Sequence, residues 1–397
     1  MAAGRYDLIT VGGGLAASAL ARAMVGRGAR VLVLEREERF RDRVRGEFIS
    51  SWGVAEAREL GLLELLCQNC AHQVPWADLG PGPRNVVATT PQGLPGISFF
   101  HPEMQETLLA GAAGAGAEVR RGVAVEGIEP GAHPAVLCSS NGRRERVEAR
   151  LVVAADGRNS AARRWMGFTS QRNVQPFLFA GVRLGDVEAR NDLGHFIFNP
   201  EVGAVAALIP QRNGMFRGYL GHPTTSPYRL QGEDNLPRFF QESIKAAPQF
   251  GPFYARARAT GPLASFEGGD SWVEHPYRKG VALLGDAAAT SDPSFGQGMG
   301  LSLRGARVLR DVLSEDSDWD RAGDHYADLH HAAFQNLHRV TVWFRNIFQE
   351  QGPEADERRR RAMPRILEDF TRVPDHLFSG PDLPADDTVR ARFFGEV

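Results

Sequence analysis

The sequence predicts an α/β fold: a three-layer domain around a parallel sheet, an inserted antiparallel sheet, and a C-terminal helical region. Three observations carry this. Residues 6–35 read as strand, glycine turn, helix and second strand. Short apolar segments between Phe177 and His222 alternate with turn residues, the pattern of an antiparallel sheet. From Met299 onward, apolar residues recur at helical spacing. With 397 residues the chain can bury two subdomains and a tail.

The first unit runs from Arg5 to Glu35. Tyr6 to Val11 is the strand, and it stops at Gly12-Gly13-Gly14. Leu15 to Val25 carries Ala, Leu and Met without a breaker, so it reads as a helix, and Gly26 and Gly28 end it. Arg30 to Leu34 is a β-branched apolar run of the kind buried on both faces of a parallel sheet, and it closes on Glu35. Gly12, Gly14 and Ala17 match the Rossmann-like fingerprint G-x-G-x-x-G/A, whose acid lies about 20 positions on. Gly12 permits the tight turn, Gly14 lets the backbone approach a pyrophosphate, and Ala17 allows close helix–strand packing. Gly12, Gly13, Gly14, Leu15, Ala16 and Ala17 therefore form a candidate pyrophosphate site at a positive helix end. Glu35 is the candidate acceptor for ribose hydroxyls, with Arg36 beside it.

Arg36 to Arg45 is a charged loop, and Trp52 to Leu66 has helical spacing. Pro75 to Pro95, rich in Pro and Gly, predicts an excursion into short strands. Met104 to Ala117 is an alanine-rich helix feeding a strand from Val119 to Ile128. Val136 to Cys138 and Arg146 to Val153 pair across Asn141-Gly142, a hairpin turn. Phe177 to Leu184, His195 to Asn199, Ala204 to Ile209 and Phe216 to Gly221 are the strands of the inserted sheet. A helix near Leu236 to Ala247 and a strand at Val281 to Leu284 follow. Met299 to Leu313 and Asp320 to Gln349 are helices, and Glu354 to Arg361 is the solvated face of another.

Composition removes several functional classes. A net charge of -2 gives no reason to expect nucleic acid as a partner. Cys67, Cys70 and Cys138 suit a reducing cytoplasm. Cys67-x-x-Cys70 with His72 lacks the second pair a structural zinc site needs, so these are core or helix-end cysteines and no metal is expected. No leader pattern opens the chain and no window approaches 18 uninterrupted apolar residues, so the expectation is a cytoplasmic protein without stable membrane insertion.

A second glycine-rich stretch, Gly285-Asp286-Ala287-Ala288 through Pro293-Ser294-Phe295-Gly296-Gln297-Gly298-Met299-Gly300, follows the strand at Val281. Taken with the fingerprint and with Ala155-Asp156-Gly157-Arg158-Asn159-Ser160, it resembles the FAD-dependent aromatic hydroxylases of the para-hydroxybenzoate hydroxylase type, the group A flavoprotein monooxygenases. The resemblance covers roughly Tyr6 to Leu313. It implies FAD as cofactor and NAD(P)H as transient reductant. It also implies that O2 reacts at flavin carbon 4a and that the hydroperoxide hydroxylates or epoxidises an electron-rich aromatic or alkene substrate. By position, Arg45 in Arg43-Val44-Arg45-Gly46-Glu47 matches a flavin-contacting arginine and Gln105 a polar cofactor contact. Val125 and the Asp156-Gly157 pair match further cofactor positions, the latter linked to NAD(P)H as well.

The chemistry of the second stretch agrees with that resemblance. Asp286, after an apolar strand, can accept hydrogen bonds from a ribityl chain, although an N-cap aspartate would look the same. Pro293 stiffens the turn, and Gly296, Gly298 and Gly300 leave room for a planar ring. The helix from Gly298 and Met299 aims N–H groups at the ring's developing negative charge. Arg45, Pro293 and Gly298 are therefore the candidate catalytic positions, and Gly285 joins the cofactor set. His195, Arg217, Tyr219 and His222 on the inserted sheet are the substrate candidates. The sequence departs from the pattern at Ala289, where many relatives carry His.

The domain expectation is a discontinuous FAD-binding domain of residues 1–74, 101–176 and 273–315. A substrate domain takes 75–100 and 177–272, and the helical region 316–397. A small-molecule or carrier-bound substrate is expected, with a separate flavin reductase as a further candidate partner. The alternatives are a flavin-dependent C=C reductase, a halogenase, or a non-catalytic FAD-binding protein. Halogenation is disfavoured because Lys245 and Lys279 lie outside the matching early region and Ala206 to Pro210 lacks Trp.

Overall fold

The computed structural model describes residues 6–80, 82–173 and 177–397; residues 1–5, Pro81 and residues 174–176 lie outside it. β1 (Tyr6–Val11), α1 (Leu15–Val25) and β2 (Val31–Glu35) form where sequence places them. β1 is central, pairing in parallel with β2 on one side and with strand Arg143–Ala154 on the other. Val281–Leu283 extends the sheet beyond Arg143–Ala154, and Glu118–Arg121 extends it beyond β2, both parallel. Four neighbouring strands thus end at Val11, Glu35, Ala154 and Leu283 along one edge. That carboxyl edge is where open α/β sheets bind ligands.

One face of this sheet packs on α1 and on helices His101–Ala115 and Gly298–Glu315, through Leu20, Met104, Leu108, Leu303 and Leu309. The other face carries a meander of Ala124–Glu129, Ala135–Ser140 and Arg143–Ala154. Its hairpin turns at Asn141 and Gly142, both at positive φ (49° and 77°), as a type I′ turn requires. Two expected elements are each split by a left-handed glycine. The helix expected over Trp52 to Leu66 is two helices, Ser51–Glu59 and Leu63–Asn69, interrupted at Gly61 (φ 67°). The strand expected over Val119 to Ile128 breaks at Gly122 (φ 67°), so Glu118–Arg121 joins the parallel sheet and Ala124–Glu129 joins the meander.

The inserted sheet is antiparallel through Phe177–Gly185, Phe216–Pro223, Ala204–Pro210 and Leu193–Asn199, in that spatial order. Trp76–Asp78 and Pro83–Asn85 extend its far edge. Gly96–Ser98 instead pairs with Phe48–Ile49 and His72–Val74. Helices Leu236–Ala246 and Phe250–Tyr254 cover one face of the inserted sheet through Val182, Ala206, Leu208, Leu220, Phe239 and Phe250.

The C-terminal region opens with the 30-residue helix Trp319–Phe348, whose Asp318 caps it by accepting from the Asp320 and Arg321 N–H groups. The charge run falls on helix Pro353–Glu368, where Arg358, Arg359, Arg360 and Arg361 pair with Glu350, Asp356, Glu357 and Glu396. Cys70 caps a helix and is buried with Cys138, while Cys67 is half-buried. Among the described residues, no helix is long and apolar enough to cross a membrane.

Candidate functional site

The first glycine turn leaves β1 at Gly12, whose φ of 100° suits glycine. A Cβ there would sit 2.6 Å from the Ala155 carbonyl oxygen, so the protein's own backbone already demands glycine. α1 starts at Gly14 with no side chain capping its first N–H groups and no acid in its first turn. Ala17 is fully buried, and Leu15 and Ala16 nearly so. Glu35 is buried behind this turn, its Oε2 accepting from Gly13 N–H at 2.7 Å and its Oε1 from Glu37 N–H at 2.8 Å. It therefore braces the turn, and each oxygen keeps a lone pair for a ribose hydroxyl. Gln105 Nε2 lies 3.7 Å from the Cβ position of Gly14, beside the helix end. Val123 N–H donates to the Glu35 carbonyl, bringing the half-buried Val125 to the same end of the sheet. Arg36 is exposed and pairs with Glu37 at 3.4 Å.

Next along the edge, Ala155 N–H donates to the Val11 carbonyl, so the Asp156-Gly157 loop lies against the glycine turn. Asp156 Oδ2 accepts from Ala161 and Ala162 N–H at 2.7 and 3.1 Å, while Oδ1 is buried with no partner. Gly285 (φ 61°) lets α1 and the Gly298 helix close in, since a Cβ would meet Ala16 Cβ at 3.0 Å and Ser302 Oγ at 3.3 Å. Asp286 is exposed. Desolvation by the surrounding walls raises its carboxyl above the usual range, and Arg158, Arg45 and His101 pull it back.

The second glycine turn holds Pro293–Phe295 in a short 3-10 turn and reverses at Gly296 (φ 63°), whose Cβ position faces open space. Helix Gly298–Glu315 begins with no capping side chain and no acid in its first turn. At Gly298 a Cβ would have only Ser291 Oγ near it, at 3.5 Å. At Gly300 the space is set by the protein itself: a Cβ would lie 2.6 Å from the Trp52 ring, so this glycine makes room for a tryptophan. Trp52 Nε1 in turn donates to Gln297 Oε1 at 3.0 Å. Met299 Cε comes within 3.4 Å of the Cβ position of Gly46, where the Arg45 segment meets the helix start. Ala289 is buried and pairs with Trp272 in a small sheet.

Strand parity divides the four substrate candidates. Arg217 and Tyr219 project from the sheet face turned toward the cofactor edge. His195 and His222 project from the opposite face, and this corrects their assignment as substrate contacts. His195 Nδ1 pairs with Asp78 at 3.1 Å, and its ring packs on Phe250 and Phe253 beneath the helices. His222 packs on Tyr228, and burial lowers its pKa.

Arg217 and Tyr219 anchor the Arg45 segment. Arg217 is fully buried and donates to Glu47 at 2.6 and 2.9 Å and to Asp42 at 3.0 Å. Burial opposes its charge, but Tyr219, Glu47 and Asp42 outweigh that and raise its pKa. Tyr219 Oη donates to the Arg45 carbonyl. Val44, between these anchors, adopts φ 50°, a costly backbone for a β-branched residue, and its Cγ1 occupies the space that Gly181 leaves empty. The Arg45 guanidinium reaches out over the Phe266 ring at 5.8 Å.

The structure also brings in His101, which sequence reasoning passed over as a site residue. Its Nδ1 bonds the Gly46 carbonyl at 2.8 Å, and its backbone N–H donates to Glu47. Burial, with Arg45, holds its imidazole below the usual pKa against the pull of Gly46, Glu47 and Asp286. A lone histidine ahead of a helix gives no sequence signal of that placement.

The arrangement suits a long dinucleotide cofactor. Two uncapped helix N-termini lie on either side of Gly285, and the first could hold a pyrophosphate and the second a ring that gains negative charge. Carboxyl groups at Glu35 and Asp286 stand at or just after the ends of strands Val31–Glu35 and Val281–Leu283, which flank the two central strands of the same edge, and could accept from sugar and ribityl hydroxyls. Comparison with known proteins agrees. The family model described as FAD binding domain matches residues 5–322. Rifampicin monooxygenase of Streptomyces venezuelae is 26% identical over 392 residues, covering 94% of this chain and 77% of that protein. Digeranylgeranylglycerophospholipid reductase 2 of Methanopyrus kandleri is 26% identical over 372 residues, covering 88% of each. In fold, the chain is similar to p-nitrophenol 4-monooxygenase PnpA from Pseudomonas putida, with a TM-score of 0.76 and 20% identity over 96% of this chain and 99% of that one.

Proposed function

The chain belongs to the FAD binding domain family, and from that premise we propose that it is a monooxygenase acting on an electron-rich aromatic or alkene small molecule, free or carrier-bound. NAD(P)H and O2 are the co-substrates: one oxygen atom enters the substrate and the other leaves as water. The observation that carries the reading is the pair of uncapped helix ends, at Gly14 and at Gly298, on the edge that also presents Glu35 and Asp286. FAD, when bound, supplies the redox chemistry. The chain's own part is to bind, orient and exclude water. Gly12 to Ala17 with Gln105 would hold the pyrophosphate, Glu35 the ribose and Asp286 the ribityl chain. The N–H groups opening the Gly298 helix would stabilise charge on the reduced ring. Arg45 borders the cleft on a segment pinned to the inserted sheet, so it can position cofactor and substrate together.

The curated reductase relative keeps a C=C reductase as the second reading. Product mass under labelled O2 separates the two. A monooxygenase consumes O2 in step with NAD(P)H and gives a product heavier by one labelled oxygen atom. A reductase gives a product heavier by two hydrogens and works without O2. The purified chain should oxidise NAD(P)H by itself; dependence on an added flavin reductase would make it the oxygenase half of a two-component system. The three free cysteines support a cytoplasmic location.

A further inference from the structure

Behind the second glycine turn lies a buried polar cluster that the proposed reaction does not use. Asp270, almost fully buried, accepts at Oδ1 from the Asp292 backbone N–H at 2.6 Å and at Oδ2 from His338 Nδ1 at 2.8 Å. With that nitrogen donating, His338 Nε2 is free to accept from Asn173 Nδ2 at 3.3 Å, and Asn173 N–H donates to the Asp270 carbonyl. The His338 ring lies 4.8 Å from Trp272 and stacks on Phe334 at 13°. Asp292, fully buried, caps Ser294 N–H at 2.9 Å, and Ser294 Oγ accepts from Gln349 Nε2 at 2.6 Å. Asp292 Oδ2, Ser291 Oγ and Trp272 Nε1 are buried without partners, so the cluster is polar and only partly satisfied.

These bonds join two regions. Ser291 to Gln297 is the turn that leads into the uncapped Gly298 helix, whereas His338 belongs to helix Trp319–Phe348 and Gln349 caps its end. Both lie beyond residue 322, where the family match ends.

We propose that Asp270 and His338 are positioning residues, a buried latch through which the C-terminal helical region fixes the flavin-contact turn and so sets cofactor affinity and reduction potential. The idea rests on that turn being part of the FAD cradle. Two hydrogen bonds to one buried carboxyl link His338 to the backbone N–H of Asp292 immediately before Pro293, while at Gly296 the turn meets open space. Loss of one tie leaves Asp270 buried and underbonded, which favours rearrangement of the turn over a local gap.

Asp292 gives the latch a pH signature. Burial and the neighbouring Asp270 push its carboxyl up to about 6, against Ser294 and Arg345. Asp270 and Arg345 are the charged groups that act on it, and His338 reaches it through Asp270. A pKa raised by folding means that its protonated form is the one the fold favours. That stabilisation is present at low pH and is lost as pH rises from the ordinary 3.8 through about 6.

The test compares His338→Ala, His338→Gln and Asp292→Asn with the parent by FAD titration, spectroelectrochemistry and melting of the FAD-free protein. His338→Ala should bind FAD about tenfold more weakly, equivalent to about 1.4 kcal/mol. It should also have a more negative potential, in addition to the lower apoprotein melting temperature that an underbonded Asp270 brings. His338→Gln, which keeps a donor, should recover most of the affinity and the potential. Asp292→Asn should flatten the fall in apoprotein stability as pH rises from 3.8 through about 6. Parental affinity and potential in His338→Ala, or a loss confined to apoprotein melting, would overturn the latch. The underlying reading fails separately: parental FAD behaviour in Gly298→Val overturns the cradle, and the latch's purpose with it.

Discussion

The two glycine turns that open α1 and the Gly298 helix look alike in sequence yet are shaped by different neighbours. At the first, the protein itself requires glycine: Gly12 has φ 100° and faces the Ala155 carbonyl, while a Cβ on Gly13 would crowd Glu35 and Leu109. At the second, the three glycines have three separate reasons. Gly300 yields to Trp52, Gly296 serves a left-handed reversal, and only Gly298 has open space and free helix N–H groups together. A glycine-rich motif therefore does not count ligand contacts. The first turn is rigid scaffolding that, on the proposed reading, a pyrophosphate would inherit, and the second exposes one position whose smallness serves no other side chain.

Substitutions can break this contrast. Gly12→Ala should be the most damaging, because it adds about 1–2 kcal/mol of left-handed backbone strain to about 1–3 kcal/mol of overpacking. Calorimetry of the FAD-free protein should show the whole loss, and a parental melting temperature would mean that the turn relaxes freely. Gly300→Ala should cost about 1–3 kcal/mol of stability through Trp52, with FAD affinity of the folded protein nearly kept. An FAD-specific loss without destabilisation would return Gly300 to the cofactor. Glu35→Ala removes both a ribose acceptor and the brace on Gly13 and Glu37, and should weaken FAD by about 1–3 kcal/mol; unchanged affinity in a titration would assign Glu35 to bracing alone. Arg45→Ala should alter stability least, since the guanidinium is exposed while its backbone is held by Tyr219. Stopped-flow should show slower flavin reduction, and parental kinetics would place Arg45 in solvent.

The parallel sheet was legible because local signals and tertiary packing agree there: an apolar β-branched run, a glycine stop and an acid coincide at β1, α1 and β2. Breaks at Gly61 and Gly122 were missed because each interrupts an apolar pattern that continues in phase beyond it. The inserted sheet was legible as strands but not as faces. Phe177, Phe179, Phe196 and Phe198 on one side and Val182, Ile197, Leu208 and Leu220 on the other are all apolar, so alternation cannot say which side meets the cofactor. His195 and His222 were misplaced for that reason. His101, the Arg217–Glu47 anchor and the His338 latch join residues far apart in the chain, and only the packed structure brings them together.

On the proposed reading, Gly298 is where the backbone approaches a flavin edge with its N–H groups aimed at developing charge. The reduction potential of bound FAD in Gly298→Val tests this most directly. The variant should bind FAD poorly, or hold it at a more negative potential with slow hydride uptake, since a misplaced donor of this kind costs about 2.7–4 kcal/mol of transition-state stabilisation. Parental affinity, potential and reduction rate in Gly298→Val would contradict the account and show that the second glycine turn is not the flavin cradle.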